Sequence, residues 1–174
     1  MGLEPRHVLL YVVRPALRTL AVSAPAVEGD AGERLVMGTG AHESNRFRYL
    51  HQLGKGPALG LWQMEPATYA DIWGRWLCYR PRLVDALCSL AIRVHNGIPP
   101  VEELTHNLRF AAAMCRVHYL RVPVALPAKG EHLALARYWK DHYNTYLGAG
   151  TPEEFLRVYK ASVLPLYAQD SERA

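Results

Sequence analysis

Apolar residues recur every three to four positions along most of this chain, which is the spacing of one face of an α-helix. The pattern is clearest over residues 101–121, where a long apolar stripe predicts a buried helix. The stripe consists of Leu104, Leu108, Ala111, Ala112, Cys115 and Tyr119. Small alanine side chains at 111–113 allow neighbouring helices to approach closely, so we expect this helix at the centre of the fold.

The same periodicity predicts further helices on either side of the central one. Proline and capping residues mark several of their starts. Thr151, Pro152 and Glu154 in particular form a capping-box sequence with proline at the first helical position. The predicted helices span residues 7–20, 23–43, 65–77, 81–91, 131–143 and 152–165. The chain is therefore expected to be mostly α-helical.

Residues 47–64 break this helical pattern. Two short runs, 47–53 and 58–64, are rich in aromatic or apolar residues and flank a Gly-Lys-Gly-Pro turn at 54–57. Short extended runs on either side of a glycine–proline turn favour a small β-hairpin or a paired loop. The expected fold class is therefore α+β and mostly α, with one small β-hairpin beside a groove.

The polar sequence His-Glu-Ser-Asn at 42–45 ends the apolar helix predicted before it. Ser44 and Asn45 favour a helix end because their short side chains compete for backbone hydrogen bonds. Glu43 is thereby placed in the last helical turn, where the helix dipole and apolar surroundings both disfavour a negative charge. Both effects raise the pKa of a carboxyl group, which suits a proton donor at neutral pH. An ordinary acid at a helix end is the alternative for this residue taken alone.

Three residues of the hairpin region are suited to binding a ligand. Gly60 permits a close backbone approach, and Gln63 offers both a donor and an acceptor. Trp62 has a flat apolar face of the kind that stacks on sugar rings. Each also has a simple structural explanation, as a turn glycine, a loop amide or a core side chain, so none identifies a function by itself.

The order of these motifs resembles the lytic transglycosylase and goose-type lysozyme superfamily. The chain has Glu-Ser at 43–44, Gly-Leu-Trp-Gln at 60–63 and Tyr-Asn-Thr at 143–145. The family has Glu-Ser at a helix end, Gly-Leu-x-Gln in a strand and a late Tyr-Asn-Ala-Gly. The helix at 107–120 is similar to the family's Asn-Ile helix that ends in Tyr-Leu. The match covers about residues 26–145 and implies a lysozyme-like domain. The sequence GPALGLWQMEPAT at 56–68 also resembles sequences of small tailed-phage proteins.

The resemblance implies cleavage of the β-1,4 bond between N-acetylmuramic acid and N-acetylglucosamine in peptidoglycan. Glu43 would be the catalytic residue, first as acid and then as base, while the sugar's own N-acetyl group or 6-hydroxyl completes the reaction. The product would carry a 1,6-anhydro ring. Ser44 would orient the substrate or Glu43, Gln63 would bind the N-acetylmuramyl residue, Tyr143 would hydrogen-bond Glu43, and Asn144 would hold the groove wall. The substrate-binding set is then Ser44, Gly60, Trp62, Gln63, Tyr143 and Asn144.

Other interpretations stay open beside this one. Thr145 and Tyr146 stand where the family has Ala-Gly, so the loop after Asn144 departs from the family pattern. Glu65 and Asp71 are the nearest downstream carboxylates, and either could be the second acid of an inverting lysozyme that hydrolyses the bond. A lysozyme-like fold can also serve as a structural part of a phage tail or internal core with little or no catalysis. We expect an enzyme, with the structural role as its alternative.

Composition adds constraints rather than a function. The 174 residues fit one domain, and the net charge of +4 suits approach to an anionic polymer such as a cell wall. The sequence contains no Lys/Arg run and no aromatic–basic stripe, so a nucleic-acid partner is not favoured. The 3 cysteines are widely spaced and the 8 histidines lack an HExxH motif, so we expect buried free cysteines, no metal site and no cofactor.

Residues 1–22 are predicted as an amphipathic arm with a kink at Pro15, preceding the domain at 23–174. The apolar run at 8–13 is too short and too interrupted for a signal peptide or a membrane span, so we expect neither an export signal nor a transmembrane segment. Action on peptidoglycan then requires delivery from a phage virion, or from the host cytoplasm through a lysis system. The arm either packs on the domain or docks on other virion proteins.

Overall fold

A computed structural model describes residues 2–27, 29–54, 56–145 and 148–171. The α-helices are α1 (Pro5–His7), α2 (Arg14–Ala21), α3 (Asp30–Glu43), α4 (Pro66–Arg75), α5 (Pro81–Leu90), α6 (Glu103–His106), α7 (Leu108–Leu120), α8 (His132–Trp139), α9 (Pro152–Ser162) and α10 (Leu164–Ser171). Val8–Val13 and Lys140–Asn144 are π-helical, and Pro25–Val27 and Leu77–Tyr79 are short 3-10 helices. Position 146, which belongs to the predicted loop after Asn144, lies outside the described residues.

The described part of the chain contains no β-sheet, so the prediction of an α+β fold with a small β-hairpin was wrong and the fold is all-α. Among the residues that the structure describes, the β-bridges are isolated ones that join His51 to Leu59, Leu59 to Met64, and His95 to Ile98. The run at 58–64 does not extend because Gly60 and Gln63 both have positive φ, of 71° and 47°. A chain with this geometry turns back on itself within four residues instead of pairing along a straight strand.

The predicted central helix is present, although it is divided in two. α6 ends at His106, and α7 starts after Asn107, whose side chain accepts a hydrogen bond from the Phe110 backbone N–H as an N-cap. Nine of the thirteen residues of α7 are buried, including the three alanines at 111–113. α7 packs against α2, α3 and α5, and it therefore forms the centre of the core.

The N-terminal segment contains a π-helical turn where Pro15 interrupts the regular hydrogen bonding. Proline lacks the N–H that would bond the carbonyl four residues earlier, and here that carbonyl belongs to Tyr11. The Arg109 Nε of α7 donates to this carbonyl at 3.0 Å. Leu9 and Leu20, on either side of Pro15, are buried in the same hydrophobic core as α7. The segment is thus packed on the rest of the chain through both apolar contacts and a replaced backbone hydrogen bond.

α3 begins later than predicted and places one glycine, Gly38, against α9. Gly29 has φ of 127°, a conformation that interrupts the helix predicted from Ser23, and the α-helix starts at Asp30. At Gly38 a Cβ atom would lie 2.5 Å from the Phe155 ring, so only glycine allows α9 to approach this closely. This contact packs α3, whose last residue is Glu43, closely against α9.

Two further predictions concern cysteines and membrane insertion. Cys115 is buried and Cys88 is half-buried, but Cys78 is exposed, so the expectation that all three cysteines are buried was wrong. None of the described helices combines the length and the apolar character that crossing a bilayer requires.

Candidate functional site

A cleft of about 670 Å³ opens where the C-terminal end of α3 meets the loop after it and the π-helical segment after α8. Four of the predicted site residues line this cleft, namely Glu43, Gln63, Tyr143 and Asn144. Polar and aromatic neighbours line it as well, among them His42, Asn45, Tyr49, His51, Gln52, Glu65 and His118. The cleft is therefore rich in hydrogen-bonding groups, as a site for a hydrophilic ligand requires.

Glu43 is the last residue of α3 and is partly buried at the cleft. The indole Nε1 of Trp139 donates to its Oε1 at 3.1 Å. Within the described part of the chain Oε2 accepts no hydrogen bond, and neither oxygen has a cationic partner. Burial raises the pKa of Glu43 from 4.5 to about 7, and the Trp139 hydrogen bond acts in the opposite direction. Glu43 can therefore carry a proton at neutral pH and still release it.

Ser44 does not line the cleft; it shapes the turn that ends α3. Its hydroxyl is buried, donates to the Gly40 carbonyl at 2.5 Å and accepts from the Phe47 N–H at 3.0 Å. The turn contains three successive residues with positive φ, Asn45, Arg46 and Phe47, at 50°, 60° and 59°. Such a run is strained for residues other than glycine, and strain of this kind concentrates at functional sites. Because Ser44 is buried, its expected direct contact with substrate is corrected, while its expected effect on the orientation of Glu43 stays a prediction.

Trp62 and Gly60 also lie behind the cleft wall and not on it. Trp62 is only 1% exposed, and its Nε1 donates to the Val36 carbonyl at 2.9 Å, so its ring is a core anchor for α3. This position corrects the expectation that the ring offers a face to a sugar. Gly60 is buried against the carbonyl of Leu104, which leaves no room for a Cβ atom. The close approach that Gly60 allows is therefore to α6 and not to a glycan.

Gln63 faces the cleft at the end of the tight turn. Its Nε2 donates to the Gly60 carbonyl at 2.6 Å, which fixes the amide orientation. The side-chain carbonyl oxygen has no hydrogen bond among the described residues and is free to accept one from a ligand. The residue can therefore contribute an oriented acceptor to the site.

Tyr143 and Asn144 reach the cleft through the π-helical segment Lys140–Asn144. The Tyr143 hydroxyl donates to the Trp62 carbonyl at 2.7 Å and not to Glu43, which corrects the predicted contact. Asn144 Oδ1 accepts from Lys140 Nζ at 2.7 Å. The next residue, Thr145, has φ of 60° and ψ of 177°, a region that is essentially restricted to glycine. This wall is thus held by specific hydrogen bonds and by a strained backbone, and the role of Asn144 toward a glycan stays a prediction.

Sequence reasoning missed two residues that belong to the site, Trp139, which is buried behind Glu43, and His118, which lines the cleft. Trp139 lies four residues before Tyr143, and this helical spacing could have placed both on the same face. His118 lies on α7, and its Nε2 is 2.8 Å from the His142 carbonyl oxygen. Burial lowers the pKa of His118 to about 4, so it is neutral at physiological pH. Nothing in the sequence around His118 indicated a position at the cleft.

The two alternative carboxylates differ in their positions. Glu65 lines the cleft and is exposed. Asp71 is not part of the cleft lining and is paired with Arg121 at 2.7 Å and Arg75 at 3.4 Å. Among the residues that the structure describes, no group of three or more His, Cys, Asp and Glu side chains is arranged to hold a metal ion.

Comparisons of this chain with protein-family models, with curated proteins and with solved structures give no match. The resemblance to the lytic transglycosylase and goose-type lysozyme superfamily therefore rests on the order of the chain's own motifs. The function that the resemblance implies is a hypothesis about the cleft. The position and surroundings of Glu43 are the observations most relevant to that hypothesis.

Proposed function

We propose that the cleft is the active site of a glycosidase that cleaves the N-acetylmuramic acid–N-acetylglucosamine β-1,4 bond of peptidoglycan, with Glu43 as the acid and base. The observation that supports the proposal most strongly is the state of Glu43. It is a carboxyl group at an open polar cleft, without a cationic partner in the described part of the chain, and with its pKa raised to about 7. A general acid works best when its pKa lies near the working pH.

The proposed reaction is of the lytic transglycosylase type. Glu43 gives its proton to the glycosidic oxygen as the bond from that oxygen to C1 of N-acetylmuramic acid breaks. The carboxylate then takes the proton of the same sugar's 6-hydroxyl, whose oxygen bonds to C1 and closes the 1,6-anhydro ring. The proton balance is closed, since Glu43 ends as it began. This route needs no second carboxylate, and it suits a cleft where the next acid, Glu65, is exposed.

The alternative chemistry is hydrolysis. It is supported by the position of Glu65, a second carboxylate in the cleft lining. In an inverting glycosidase the second carboxylate activates a water on the opposite face of the sugar. Glu65 would then be essential and the product would have a reducing end. Asp71 is a poor candidate for this role because Arg121 and Arg75 already occupy its carboxylate.

The test compares wild type, Glu43→Gln and Glu65→Gln on purified peptidoglycan, with the released fragments analysed by mass spectrometry. We expect Glu43→Gln to abolish release and to remain folded by circular dichroism, and Glu65→Gln to retain release with 1,6-anhydro ends. Reducing ends together with a dead Glu65→Gln variant would establish hydrolysis. Release that is unchanged in Glu43→Gln would remove this site as the catalytic centre.

Delivery by a phage particle is part of the proposal. This part is supported by the resemblance of the sequence at residues 56–68 to sequences of tailed-phage proteins. Recovery of the chain at a fixed stoichiometry from purified particles would support it. If the particles contain the chain but neither they nor the purified protein release fragments, the cleft has a structural role in the virion and the enzymatic proposal fails.

A further inference from the structure

We infer that Trp139 is a positioning residue for Glu43: its indole N–H reserves Oε1, so the acidic proton is carried on Oε2, the oxygen left for the substrate. The inference deepens the proposed function, because it concerns the same carboxyl group. It starts from one contact, the hydrogen bond of 3.1 Å from Trp139 Nε1 to Glu43 Oε1.

The indole is held in place on its faces and at its edge. Trp139 is fully buried and its ring stacks on Phe155 with centroids 4.9 Å apart and planes 25° apart. His42 contacts the same ring in an edge-to-face arrangement at 4.4 Å. At Gly150 a Cβ atom would lie 2.7 Å from Trp139 Cη2, so the backbone closes off the far end of the ring. The N–H therefore has one direction available, which is toward Glu43.

The chemistry of the donor decides where the proton of Glu43 is. An indole nitrogen can donate a hydrogen bond but cannot accept one. The oxygen facing it must therefore be unprotonated in both the neutral and the charged form of the carboxyl group. When Glu43 is neutral its proton is then on Oε2, which accepts no hydrogen bond among the described residues. A rotation that exchanged the two oxygens would bring the carboxyl proton against the indole proton, and it is disfavoured for that reason.

The other titratable groups near Glu43 do not replace this donor. His42 precedes it on α3, and burial lowers the pKa of His42. Cys115 and Tyr119 approach it from α7 and Tyr143 from the π-helical segment, and burial raises the pKa of all three. His118, which also lines the cleft, is neutral. All of these groups are uncharged at neutral pH, so Trp139 is the group that favours the charged form of Glu43.

Trp139→Phe tests the inference, because it keeps an aromatic ring on Phe155 and removes the N–H. The measurement is the pH titration of the Glu43 side-chain carboxyl by 13C NMR, assigned by its absence in Glu43→Gln. We expect the pKa of Glu43 in Trp139→Phe to lie about one pH unit above that of wild type. Trp76→Phe is the matched control, since Trp76 is stacked under Arg80 and does not line the cleft; it should leave the titration unchanged. A Glu43 pKa that is the same in Trp139→Phe and wild type would overturn the inference.

A second measurement needs no tryptophan variant and covers the case in which Trp139→Phe does not fold. The 1H–15N shift of the Trp139 indole, assigned through its contacts with Phe155, should titrate with the pKa of Glu43 in wild type. In Glu43→Gln this titration should disappear. An indole signal that does not follow Glu43 in wild type would overturn the inference even if no variant could be made.

Activity measurements then separate this inference from the proposed function. On peptidoglycan we expect Trp139→Phe to lower kcat about tenfold with little change in KM, and to move the pH optimum upward together with the Glu43 pKa. If the NMR titrations behave as expected but neither the wild-type protein nor any variant cleaves peptidoglycan, the positioning of the proton holds and the enzymatic proposal fails. If cleavage depends on Glu43 but kcat and the pH optimum are unchanged in Trp139→Phe, the proposed function holds and the positioning role fails.

Discussion

The Tyr143 hydroxyl donates to the Trp62 carbonyl at 2.7 Å and ties one wall of the cleft to a residue buried behind it. Trp62 in turn donates through its indole to the Val36 carbonyl inside α3 at 2.9 Å. The wall that follows α8 is therefore tied to α3, the helix that carries Glu43, through one buried residue. Tyr143 is therefore linked to the helix of Glu43 through Trp62 and not through a direct bond to Glu43.

Tyr143→Phe is expected to destabilise the protein by about 1–3 kcal/mol, because the carbonyl of a buried residue loses its donor. The variant should also lose cleavage activity as the cleft walls loosen, while the pH dependence of the remaining activity stays unchanged. Urea unfolding and a pH–rate profile measure the two effects. A shifted pH profile would mean that Tyr143 acts on Glu43 directly after all.

Tyr138→Phe is the matched control for this prediction. The Tyr138 hydroxyl donates to the Val124 carbonyl at 3.0 Å, a bond of the same kind that is not at the cleft lining. Because Val124 is an exposed residue, water can replace the lost donor, and we expect a smaller loss of stability than in Tyr143→Phe. We expect no loss of activity beyond that. Equal losses of activity in the two variants would show that the Tyr143 bond has no special part in the cleft.

The pKa of Glu43 makes stability depend on pH in a direction that is unusual for a carboxyl group. Its folded value of about 7 lies above the ordinary 4.5, so the folded state holds a proton that the unfolded state has lost between these two values. Stability from this group is therefore full below pH 4.5 and is lost as the pH rises toward 7. The difference corresponds to about 3 kcal/mol.

Glu43→Gln should therefore gain about 3 kcal/mol relative to wild type between pH 4.5 and pH 7.5, because the amide cannot ionise. Urea unfolding at several pH values measures this, and Glu65→Gln, which removes an exposed acid of the same cleft, serves as the control. A constant difference between Glu43→Gln and wild type over this range would contradict a raised pKa. A gain in stability with a loss of activity would show that the native carboxyl is kept for its function.

His118 should produce the opposite slope in the same pH range. Its folded pKa of about 4 lies below the ordinary 6.5, so the unfolded state takes up a proton first as the pH falls. Its contribution is full above pH 6.5 and is lost toward pH 4, by about 3 kcal/mol in all. His118→Gln, whose amide can approximate the position of Nε2 beside the His142 carbonyl, should remove this acid sensitivity. A wild-type acid slope that persists unchanged in His118→Gln would assign it to other groups.

Three helix starts could be predicted well from the sequence, whereas the start predicted at Ser23 was wrong because α3 begins at Asp30. α4, α5 and α9 begin at Pro66, Pro81 and Pro152, as predicted, and the capping box is present with Glu154 N–H donating to Thr151 Oγ1 at 3.2 Å. These signals are local, since a proline or a capping side chain acts within one helical turn. The absent hairpin shows the limit of this approach, because the contact of Gly60 with Leu104 that shapes the turn is made between distant segments.

The position of Glu43 at a helix end could be predicted from the sequence, whereas the contacts of the residues around it could not. A helix end followed by Ser44 and Asn45 indicated the position of the acid, because it depends on local chain-stopping chemistry. The roles of Trp62 and Tyr143 were not predictable, since each depends on which distant carbonyl its polar atom reaches. The same is true of Trp139, whose bond to Glu43 spans 96 residues of sequence.

Thr145 stores strain at the cleft, and this makes a prediction about stability and function together. Its φ of 60° and ψ of 177° are costly for a β-branched residue and open to glycine. Thr145→Gly should raise the free energy of unfolding by about 1–2 kcal/mol, after the extra unfolded-state entropy of glycine is counted. Thr145→Ala keeps a Cβ atom and should gain less. Thermal and urea unfolding compare the three proteins.

The cleavage activity of the Thr145 variants tests whether the backbone strain at Thr145 serves the site. Thr145 directly follows Tyr143 and Asn144, so the strained backbone fixes the direction in which the chain leaves the cleft wall. If the strain serves the site, Thr145→Gly is more stable and less active than wild type, with its pH profile unchanged because Glu43 keeps its surroundings. A glycine variant that is no more stable than Thr145→Ala would show that the backbone is not strained. A glycine variant that is more stable and fully active would show that the strain has no part in cleavage.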